Sequence, residues 1–481
     1  MMRRSATDGP NIVFIVADTT REDALGLGST GGVAPELSAA AANGRVYRRA
    51  ASTAPWTPPA HASMFGGLAP SEHGVWGPNI LDEQGWPRRS VLGGPLMDRW
   101  LPKILIDRGY RTLGISANAW ISDYLGFDHG FDRFLTIREN PSGRTGPNWK
   151  KRLSWMLPDP VADSLRRRRL TASLRRRGLD WGADRTMVAM KEVLGEPGRP
   201  FFAFLNFMEP HWPYHPPRDF EGFSSDEARL AVEVLLRYRS PARLLGQSGI
   251  TGHELPSEHR AMLRRLYLGE VNYLDQRLGE LLHRLDDAEW LKDTVVVVVA
   301  DHGEHIGEHG LVGHVGSVHE ELLHVPLLVL GPEELVGRGD EDARVSTQSL
   351  YDAVLCWTLG ERATLTGDGP VVAEYEGAWS HAGSLRRMSR HFDATSKAIV
   401  WAIYDDRWKL VRDSTGREWF FDLESDPAET TDVTGNGPRE NMRKQLARSL
   451  SSRRPSLLGP GSGTGERDLA VERELRALGY L

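Results

Sequence analysis

The sequence predicts an α/β fold, with a central and mostly parallel sheet flanked by helices and a small antiparallel subdomain toward the C-terminus. Continuous apolar runs rich in β-branched and aromatic residues predict strands that are buried on both faces, as in a parallel sheet. Helical patterns separate these runs over roughly the first 330 residues, and such alternation is typical of an α/β layer fold. After about residue 340 the apolar runs are short, aromatic and separated by turns, which predicts antiparallel strands.

The predicted elements follow this alternation along the chain. The first strand covers residues 11–16, and the strand at 293–300 contains five consecutive valines. Apolar positions recur at helical spacing over 257–289, which predicts a long amphipathic helix. The other predicted elements are helices at 35–50, 60–65 and 101–110, strands at 111–115 and 200–207, antiparallel strands at 399–404, 407–412 and 418–423, and a helix from Arg439.

The chain is long enough for one large domain and a smaller one. We predict a catalytic α/β domain over residues 1–385, a subdomain of antiparallel strands and a helix over 386–454, and a linker with a C-terminal tail over 455–481. Residues 141–180 interrupt the pattern, with eleven lysines and arginines between Arg144 and Arg177. This basic insertion suits a lid over an anionic substrate, docking on an anionic surface, or a solvated helix.

Charge and composition exclude several classes of protein. The net charge is -6, so the chain is not a polycation that binds nucleic acid. The single cysteine, Cys356, excludes a disulfide framework and a zinc–thiolate site. The N-terminus has no separate apolar region of the kind a signal peptide carries, and no apolar run is long enough to cross a bilayer. We therefore expect a soluble, cytoplasmic protein with a small-molecule partner, and the sequence permits a homo-oligomer.

The segment 56–67 contains the best candidate for a nucleophile. Pro58 and Pro59 follow Thr57 and precede a helix-compatible run, and proline is favoured in the first turn of a helix because its missing N–H would be unpaired there. Thr57 is therefore predicted to be the N-cap residue, with the positive end of the helix dipole directed at its oxygen. The N-terminus of a helix binds a phosphate or sulfate group well. An ordinary N-cap threonine with no ligand would give the same sequence.

Polar residues follow the predicted strands or lie in the loops beyond them: Asp18, Thr57, Asn118, His211, Asp301, His302 and His314. The carboxyl ends of parallel strands share one edge of a sheet, so these residues are expected to converge. Asp18, Asp301 and His302 predict a divalent-cation site, and mixed oxygen and nitrogen ligands favour Mn²⁺ or Zn²⁺ over Ca²⁺. Such a metal in contact with Thr57 would lower the pKa of its hydroxyl. Asp18 taken alone is equally explained as a helix cap.

Taken together, the motifs resemble the sulfatase branch of the alkaline phosphatase superfamily over nearly the full chain. The resemblance rests on the opening strand with its metal ligand, the nucleophile signature, a histidine loop, the second metal segment, and the C-terminal subdomain and tail. In this sequence these motifs are 10–18, 57–70, 208–214, 300–309 with 324–326, and 421–429 with 475–481. The resemblance implies an alkaline phosphatase-like α/β fold, a bound divalent metal and ester hydrolysis.

Departures from the sulfatase pattern narrow the range of reactions that we expect the chain to catalyse. Sulfatases of this family carry a Cys or Ser that is oxidised to formylglycine where this chain has Thr57, and threonine cannot give that aldehyde. His61 replaces an arginine that usually follows, and Thr19 replaces a second aspartate ligand. Ala117 and Asn118 occupy the neighbourhood of the lysine and histidine that grip sulfate. This pattern is closer to the phosphonate monoesterases and phosphodiesterases of the superfamily.

The resemblance therefore implies metal-dependent phosphoryl transfer without formylglycine. Thr57 would attack and form a covalent intermediate while it contacts the metal held by Asp18, Asp301 and His302. The residues expected to bind substrate are His61, Asn118 and His211, and His314 is expected to protonate the leaving group.

Several alternatives stay open. The chain could hydrolyse sulfate esters with Thr57 directly, or act as a sulfatase-like transferase. It could instead be a degenerate sulfatase fold that only binds ligands. A second metal would use His211 and His215 with a later histidine such as His381, and His309, His314 and His319 could simply be surface histidines.

Overall fold

A computed structural model describes most of the chain, namely residues 9–27, 32–76, 92–137, 180–194, 200–217, 223–238, 255–287, 289–314, 317–365, 370–376, 399–433 and 437–452. The predicted basic insertion at 141–180 lies outside these residues apart from Asp180, and so does the predicted tail at 455–481. His381, considered above as a ligand of a second metal, also lies outside them.

The described strands form a large central sheet, a smaller sheet and one short hairpin. They are β1 (Asn11–Ala17), β2 (Gly44–Ala51), β3 (Arg111–Ser116), β4 (Arg133–Thr136), β5 (Phe201–Phe207), β6 (Thr294–Val299), β7 (His305–Ile306), β8 (Val312–Gly313), β9 (Leu327–Leu330), β10 (Gly339–Ser346), β11 (Val371–Glu376), β12 (Ile399–Asp405), β13 (Trp408–Asp413) and β14 (Glu418–Asp422).

The central sheet has eight strands in the spatial order β10-β2-β9-β6-β1-β5-β3-β4. β1 pairs in parallel with β5 and β6, and β3 pairs in parallel with β4 and β5. β9 runs antiparallel to both β6 and β2, so β2 again points the same way as β6. The predicted α/β fold with a mostly parallel sheet is confirmed.

Helices cover both faces of this sheet. The described helices are α1 (Glu22–Leu25), α2 (Pro35–Ala41), α3 (Thr57–Gly66), α4 (Pro70–His73), α5 (Leu101–Asp107), α6 (Ala183–Leu194), α7 (Ser225–Arg237), α8 (Ser257–Asp287), α9 (Glu320–Leu323), α10 (Glu333–Val336), α11 (Leu350–Trp357) and α12 (Arg439–Ser452), with 3₁₀ turns at Gly94–Arg99, Trp290–Asp293, Glu308–Gly310 and Thr347–Ser349. Among the described residues no helix is long and apolar enough to cross a membrane.

The side chains of β1 show how the sheet forms the middle of three layers. Phe14 and Val16 pack in one buried cluster with residues of α3, while Val13 and Ile15 pack in a second cluster with residues of α8. Burying each such side chain stabilises the fold by about 1.5–3 kcal/mol. With both faces of the strands covered, the polar residues that follow them are confined to the edge of the sheet.

The C-terminal part contains the predicted antiparallel sheet, in the order β11-β12-β13-β14. Met442 and Leu446 of α12 pack on it together with Leu410 and Phe420. β11 comes earlier in the chain than the three predicted strands and pairs with β12. The expected domain boundary between 385 and 386 lies outside the described residues.

Two local predictions were wrong. The segment 35–50 is not one helix, because α2 ends at Ala41 and Gly44–Ala51 is strand β2, which pairs with β9 and β10. Thr57 is not the N-cap of α3. It is the first helical residue, and Trp56 occupies the cap position with extended backbone (φ −158°, ψ 162°).

Candidate active site

The carboxyl ends of the central strands lie along one edge of the sheet and lead into most of the predicted site residues. These are Asp18 after β1, Thr57 after β2, Asn118 after β3, His211 after β5, and Asp301 and His302 after β6. Open α/β sheets bind ligands at this edge. All six side chains are almost completely buried.

Asp18, Asp301 and His302 form a cluster that fits a divalent cation. One ligand atom from each lies within 4.8 Å of the others, and His302 Nε2 is 3.5 Å from Asp301 Oδ2 and 3.9 Å from Asp18 Oδ1. His302 Nδ1 donates to the carbonyl oxygen of Gly303 (2.9 Å), which leaves Nε2 as the nitrogen that faces the carboxylates. Among the described residues, Asp18 Oδ1 and Asp301 Oδ2 have no hydrogen-bond partner. Oxygen and imidazole donors in this combination suit Mn²⁺ or Zn²⁺.

The electrostatics of the cluster favour a positive ligand. Burial raises the pKa of Asp18 well above its usual range, and the charge of Asp301 raises it further. Burial raises the pKa of Asp301 to about 7, although the N–H groups of His302 and Thr19 donate to its carboxylate. Burial also lowers the pKa of His302, so its imidazole is neutral and available as a ligand. Two buried carboxylates can both ionise at neutral pH only with a cation between them.

Thr57 presents its hydroxyl to this cluster from the first turn of α3. Its Oγ1 lies 3.2 Å from His302 Nε2, and every residue of the helix is buried. Pro58 and Pro59 occupy the next two positions, where their missing N–H groups cost the helix nothing. The positive end of the helix dipole therefore points at Thr57 and the space in front of it.

His61 lies one helical turn after Thr57, and both of its ring nitrogens contact protein atoms. Nδ1 donates to the carbonyl oxygen of Thr57 (3.0 Å), and Nε2 accepts from the amide of Asn206 (3.4 Å). The ring packs edge-on against Phe204, and burial lowers the pKa of His61 to about 3. His61 is thus a neutral buried residue that supports the start of α3, and its predicted contact with substrate stays a prediction.

Asn118 contacts a residue of the candidate metal site directly. Its side-chain N–H donates to Asp18 Oδ2 (2.6 Å), and its side-chain oxygen accepts from the main-chain N–H of Trp120 (2.8 Å). These two bonds orient Asp18 so that Oδ1 faces His302. Substrate binding by Asn118 likewise stays a prediction.

The imidazole ring of His314 packs against the rings of His302 and His211. The centroid of the His314 ring is 4.5 Å from that of His302 and 5.2 Å from that of His211. His314 Nδ1 lies 3.2 Å from Oε1 of Glu304, a buried carboxyl group whose pKa burial raises to about 7. Burial lowers the pKa of both histidines, so both imidazoles are neutral before a ligand arrives.

Thr19, next to Asp18, holds a strained backbone conformation. Its φ of 54° places a β-branched residue in the left-handed region, which is rare and costs about 1–2 kcal/mol. Its N–H donates to Asp301 Oδ1 (3.3 Å), and its carbonyl oxygen accepts from the hydroxyl of Tyr267 (2.9 Å). Strain of this kind concentrates at functional sites.

Sequence reasoning missed two residues that position the site. Glu304 contacts His314 through Oε1 and Nδ1. The signal that could have revealed it is its place as the second acid of the Asp-His-Gly-Glu run at 301–304. Asn206 holds His61, and it was visible as the one amide inside the aromatic strand Phe201–Phe207. The predicted second-metal histidines His211 and His215 are both buried, and the main-chain N–H of His215 donates to Glu270 (2.6 Å).

Comparison with known proteins agrees with this fold and gives its family. A family profile described as Sulfatase matches residues 10–360. Choline-sulfatase from Rhizobium meliloti (strain 1021) is 28% identical over 260 residues, and a sulfatase from Formosa agariphila is 25% identical over 462 residues, or 89% of this chain and 84% of that one. The crystal structure of the phosphonate monoester hydrolase of Agrobacterium radiobacter superposes with a TM-score of 0.62 at 21% identity, covering 92% of this chain and 95% of that one.

These matches cover different shares of the chain and of the relatives. The match to choline-sulfatase covers 50% of this chain and only 48% of the relative, so the chain spans about half the length of that protein. At 21% identity, the likeness to the phosphonate monoester hydrolase concerns the fold alone. The family profile covers well over half of the chain and includes every residue of the candidate site. The chain therefore belongs to the sulfatase family of ester hydrolases.

Proposed function

We propose that the chain is a metal-dependent hydrolase of small anionic phosphoesters that works through a covalent intermediate on Thr57. The substrate class comprises phosphodiesters, phosphonate monoesters and phosphate monoesters. One observation carries the proposal. The hydroxyl of Thr57 stands at the N-terminus of a buried helix, 3.2 Å from His302 Nε2. That nitrogen faces Asp18 Oδ1 and Asp301 Oδ2, which have no hydrogen-bond partner among the described residues.

The chemistry of threonine separates this proposal from the formylglycine mechanism. The Cβ of Thr57 carries a methyl group, so oxidation of its hydroxyl would give a ketone and not an aldehyde. The single cysteine, Cys356, lies in α11 and cannot replace Thr57 at the start of α3. An unmodified hydroxyl attached to a stiff side chain is the nucleophile that the site offers.

Asp18 Oδ1, Asp301 Oδ2 and His302 Nε2 would hold the divalent ion. When bound, such an ion lowers the pKa of a hydroxyl that it contacts and offsets charge on the phosphoryl oxygens. The residues of the chain then orient the reaction. Asn118 orients Asp18, and the helix dipole of α3 stabilises an anion in front of Thr57. The Thr57 hydroxyl gives up its proton to solvent, and Oγ1 attacks phosphorus in line as the bond to the leaving oxygen breaks; Thr57 takes a proton back when water later cleaves the phospho-threonine.

Glu304 and His314 are suited to supply the proton that the leaving oxygen needs. His314 is neutral in the free protein because burial lowers its pKa, and an anionic ester next to the ring favours its protonated form. The Glu304 carboxylate, 3.2 Å from His314 Nδ1, stabilises the imidazolium. After the leaving group departs, the neutral imidazole can accept a proton from the water that hydrolyses the phospho-threonine.

The experiment is a matched chromogenic panel with added Mn²⁺, Zn²⁺ or Ca²⁺. It contains an aryl phosphate monoester, a phosphodiester, a phosphonate monoester and an aryl sulfate. We expect faster cleavage of a phosphorus ester, a loss of at least about 10³-fold in kcat/KM for Thr57→Ala, and partial activity for Thr57→Ser, which keeps the hydroxyl. Mass spectrometry of quenched reactions should find a phosphorus-containing adduct on the peptide that contains Thr57.

Two outcomes would contradict the proposal. Cleavage of the sulfate alone would show that the substrate class is wrong, and full activity of Thr57→Ala would show that the nucleophile is wrong. If the protein cleaves none of the four esters and binds no metal, the result would favour a ligand-binding protein without catalytic activity.

A sulfuric ester hydrolase is the second candidate, and the two sulfatase relatives favour it. In that case Thr57 would attack sulfur without prior oxidation. The same panel separates the two candidates, because each would cleave a different ester most rapidly.

A further inference from the structure

A second group of metal-ligating side chains lies apart from the residues used above. His309 follows β7, His319 directly precedes α9, and Glu321 lies within α9. One ligand atom from each lies within 4.8 Å of the others. The rings of His309 and His319 are stacked, with centroids 3.8 Å apart and planes inclined by 6°. Two separate segments of the chain therefore bring three donors close together, and rotation of one imidazole out of the stack turns both ring nitrogens toward one ion.

The surrounding hydrogen bonds leave the donor atoms available. His319 Nδ1 lies 3.2 Å from Oε2 of Glu429, which also accepts the main-chain N–H of Glu320 (2.6 Å). Donation from Nδ1 leaves the lone pair on Nε2, and a carboxylate behind an imidazole is the arrangement that orients metal-bound histidines. Glu321 Oε2 is 3.5 Å from His309 Nε2, and its side chain is only 8% exposed. Among the described residues this oxygen has no hydrogen-bond partner.

We propose that His309, His319 and Glu321 bind a second divalent metal ion of the zinc type. Two imidazole nitrogens and one carboxylate oxygen form a ligand set that Zn²⁺ accepts, with a fourth position for water. Ca²⁺ prefers oxygen ligands and fits this set less well. This site shares no ligand with the cluster of Asp18, Asp301 and His302, and it does not depend on the substrate class proposed above.

A metal at this site would link the loop that carries His302 and His314 to α9. The N–H of Gly303 donates to the carbonyl oxygen of Leu322 (2.8 Å), and a Cβ at Gly303 would clash with the carbonyl oxygen of Glu321. The loop and α9 are thus in direct contact behind the first site. Glu429 also pairs with Lys409 of β13 (2.8 Å), so the proposed site connects the loop to the C-terminal sheet.

The test uses the full chain with Asp18→Asn and Asp301→Asn, which removes the carboxylates of the first site. After loading with Zn²⁺ and gel filtration, we expect one zinc per chain in this background by elemental analysis. Adding His319→Phe or Glu321→Gln should abolish binding. Phenylalanine keeps a flat ring between His309 and Phe421, and glutamine keeps the shape of the glutamate. Zinc should also raise the midpoint of thermal unfolding in the background protein and not in these variants.

His283→Gln is the matched control, because His283 is an exposed histidine 3.8 Å from Glu36 that has no third ligand in the described clusters. It should leave the zinc content unchanged. The proposal is overturned if the background protein binds no zinc, or if both His319→Phe and Glu321→Gln bind as much zinc as the background. Either result would leave a plain ion pair between His309 and Glu321. The thermal unfolding of the zinc-free variants shows independently that each is folded.

Discussion

At the scale of single residues, stability and function oppose each other at Asp18 and Asp301. Both carboxyl groups are completely buried, and one oxygen of each faces the space assigned to the metal without a hydrogen bond from the described residues. Without a cation, burial and mutual repulsion penalise the charged forms. The metal-free protein is therefore expected to gain stability from changes that destroy the site.

Asp301→Asn should stabilise the metal-free protein while it removes metal binding. Folding raises the pKa of Asp301 from 3.8 to about 7 because the carboxyl group is buried. The folded state therefore binds this proton more tightly, and the stability it provides is complete below 3.8 and is lost as the pH rises to about 7. In chelator at pH 8 the variant should gain on the order of 2–4 kcal/mol in the free energy of unfolding.

Urea unfolding of both proteins from pH 4 to pH 8 measures this difference. The gain should disappear near pH 4, where the wild-type carboxyl group is protonated as well. Asp98→Asn, at a side chain that is 79% exposed, is the control and should change nothing. A loss of stability in Asp301→Asn at pH 8 would show that the buried pair is already compensated without metal.

At the scale of elements, α2 depends on a cap from another helix. Its own N-cap residue, Ala34, has no side-chain acceptor. Asp275 of α8 supplies one instead, and its two oxygens accept the N–H groups of Glu36 (3.0 Å) and Leu37 (2.8 Å). This contact joins the first turn of α2 to the middle of the longest described helix, on the face of the sheet opposite α3.

Asp275→Ala should therefore destabilise the protein by about 1–2 kcal/mol, the usual cost of losing an N-cap. Asp275→Asn keeps one acceptor and should lose about half as much. Burial raises the pKa of Asp275 to about 6, so the comparison is made by chemical unfolding at pH 8, where the carboxylate is ionised. Metal content and kcat should not change, and equal stability of all three proteins would show that water replaces the cap.

These elements also show what the sequence could and could not reveal. The apolar runs of β1 and β6 were predicted because strands buried on both faces need no alternation. The prediction of a helix over 35–50 failed because alanines on both sides of Gly44 favour helix, whereas pairing with β9 and β10 decides the conformation of β2. The cap from Asp275 could not be predicted, since its partner amides lie 238 and 239 residues away.

The candidate site likewise contains residues that the sequence could predict and contacts that it could not. Asp18, Asp301 and His302 could be grouped from the sequence because each follows a predicted strand, whereas Thr57 was added through its proline-rich segment and the family resemblance, since β2 was predicted as helix; the structure brings the four together. The pairing of Asn118 with Asp18, and of His61 with the carbonyl oxygen of Thr57, depends on side-chain directions that no spacing encodes. The assignment of Thr57 to the N-cap missed by one position because Trp56 already has extended backbone.

At the scale of the whole molecule, one buried lysine connects the C-terminal sheet to the central domain. Lys409 of β13 is fully buried, and its ammonium group contacts the Val318 carbonyl oxygen (2.6 Å), Glu320 (2.9 Å) and Glu429 (2.8 Å). Burial raises the pKa of Glu320, yet the charges of Lys409 and Arg344 hold it well below its usual range. The two parts of the chain are thus joined by a compensated group of buried charges.

Lys409→Met should destabilise the protein by about 3–5 kcal/mol, because it removes the cation that Glu320 and Glu429 share and leaves them only Arg344 and His319 as partners. The stabilisation from Glu320 is present above its ordinary pKa of 4.5 and is lost as the pH falls below that value. The gap between wild type and Lys409→Met should therefore narrow in acid. Thermal unfolding between pH 3 and pH 8 measures it.

Lys292→Met is the control for that prediction, since Lys292 pairs with Glu289 at side chains that are 72% and 75% exposed. Such surface pairs contribute little to stability. A small effect of Lys409→Met at every pH would mean that the sheet is held mainly by its apolar contacts.

The position of β1 in the middle of the sheet has a consequence for how the protein is made. β1 leaves the ribosome before β5 and β6, which are its two neighbours in the sheet, and the bond from Thr19 to Asp301 joins residues 282 apart. Until β6 emerges, the apolar β1 has an unpaired edge, which is the kind of surface that chaperones cover and that aggregates. A nascent chain that has not reached Asp301 contains one of the three proposed metal ligands. The candidate site can therefore form only after the segment of Asp301 and His302 has been made.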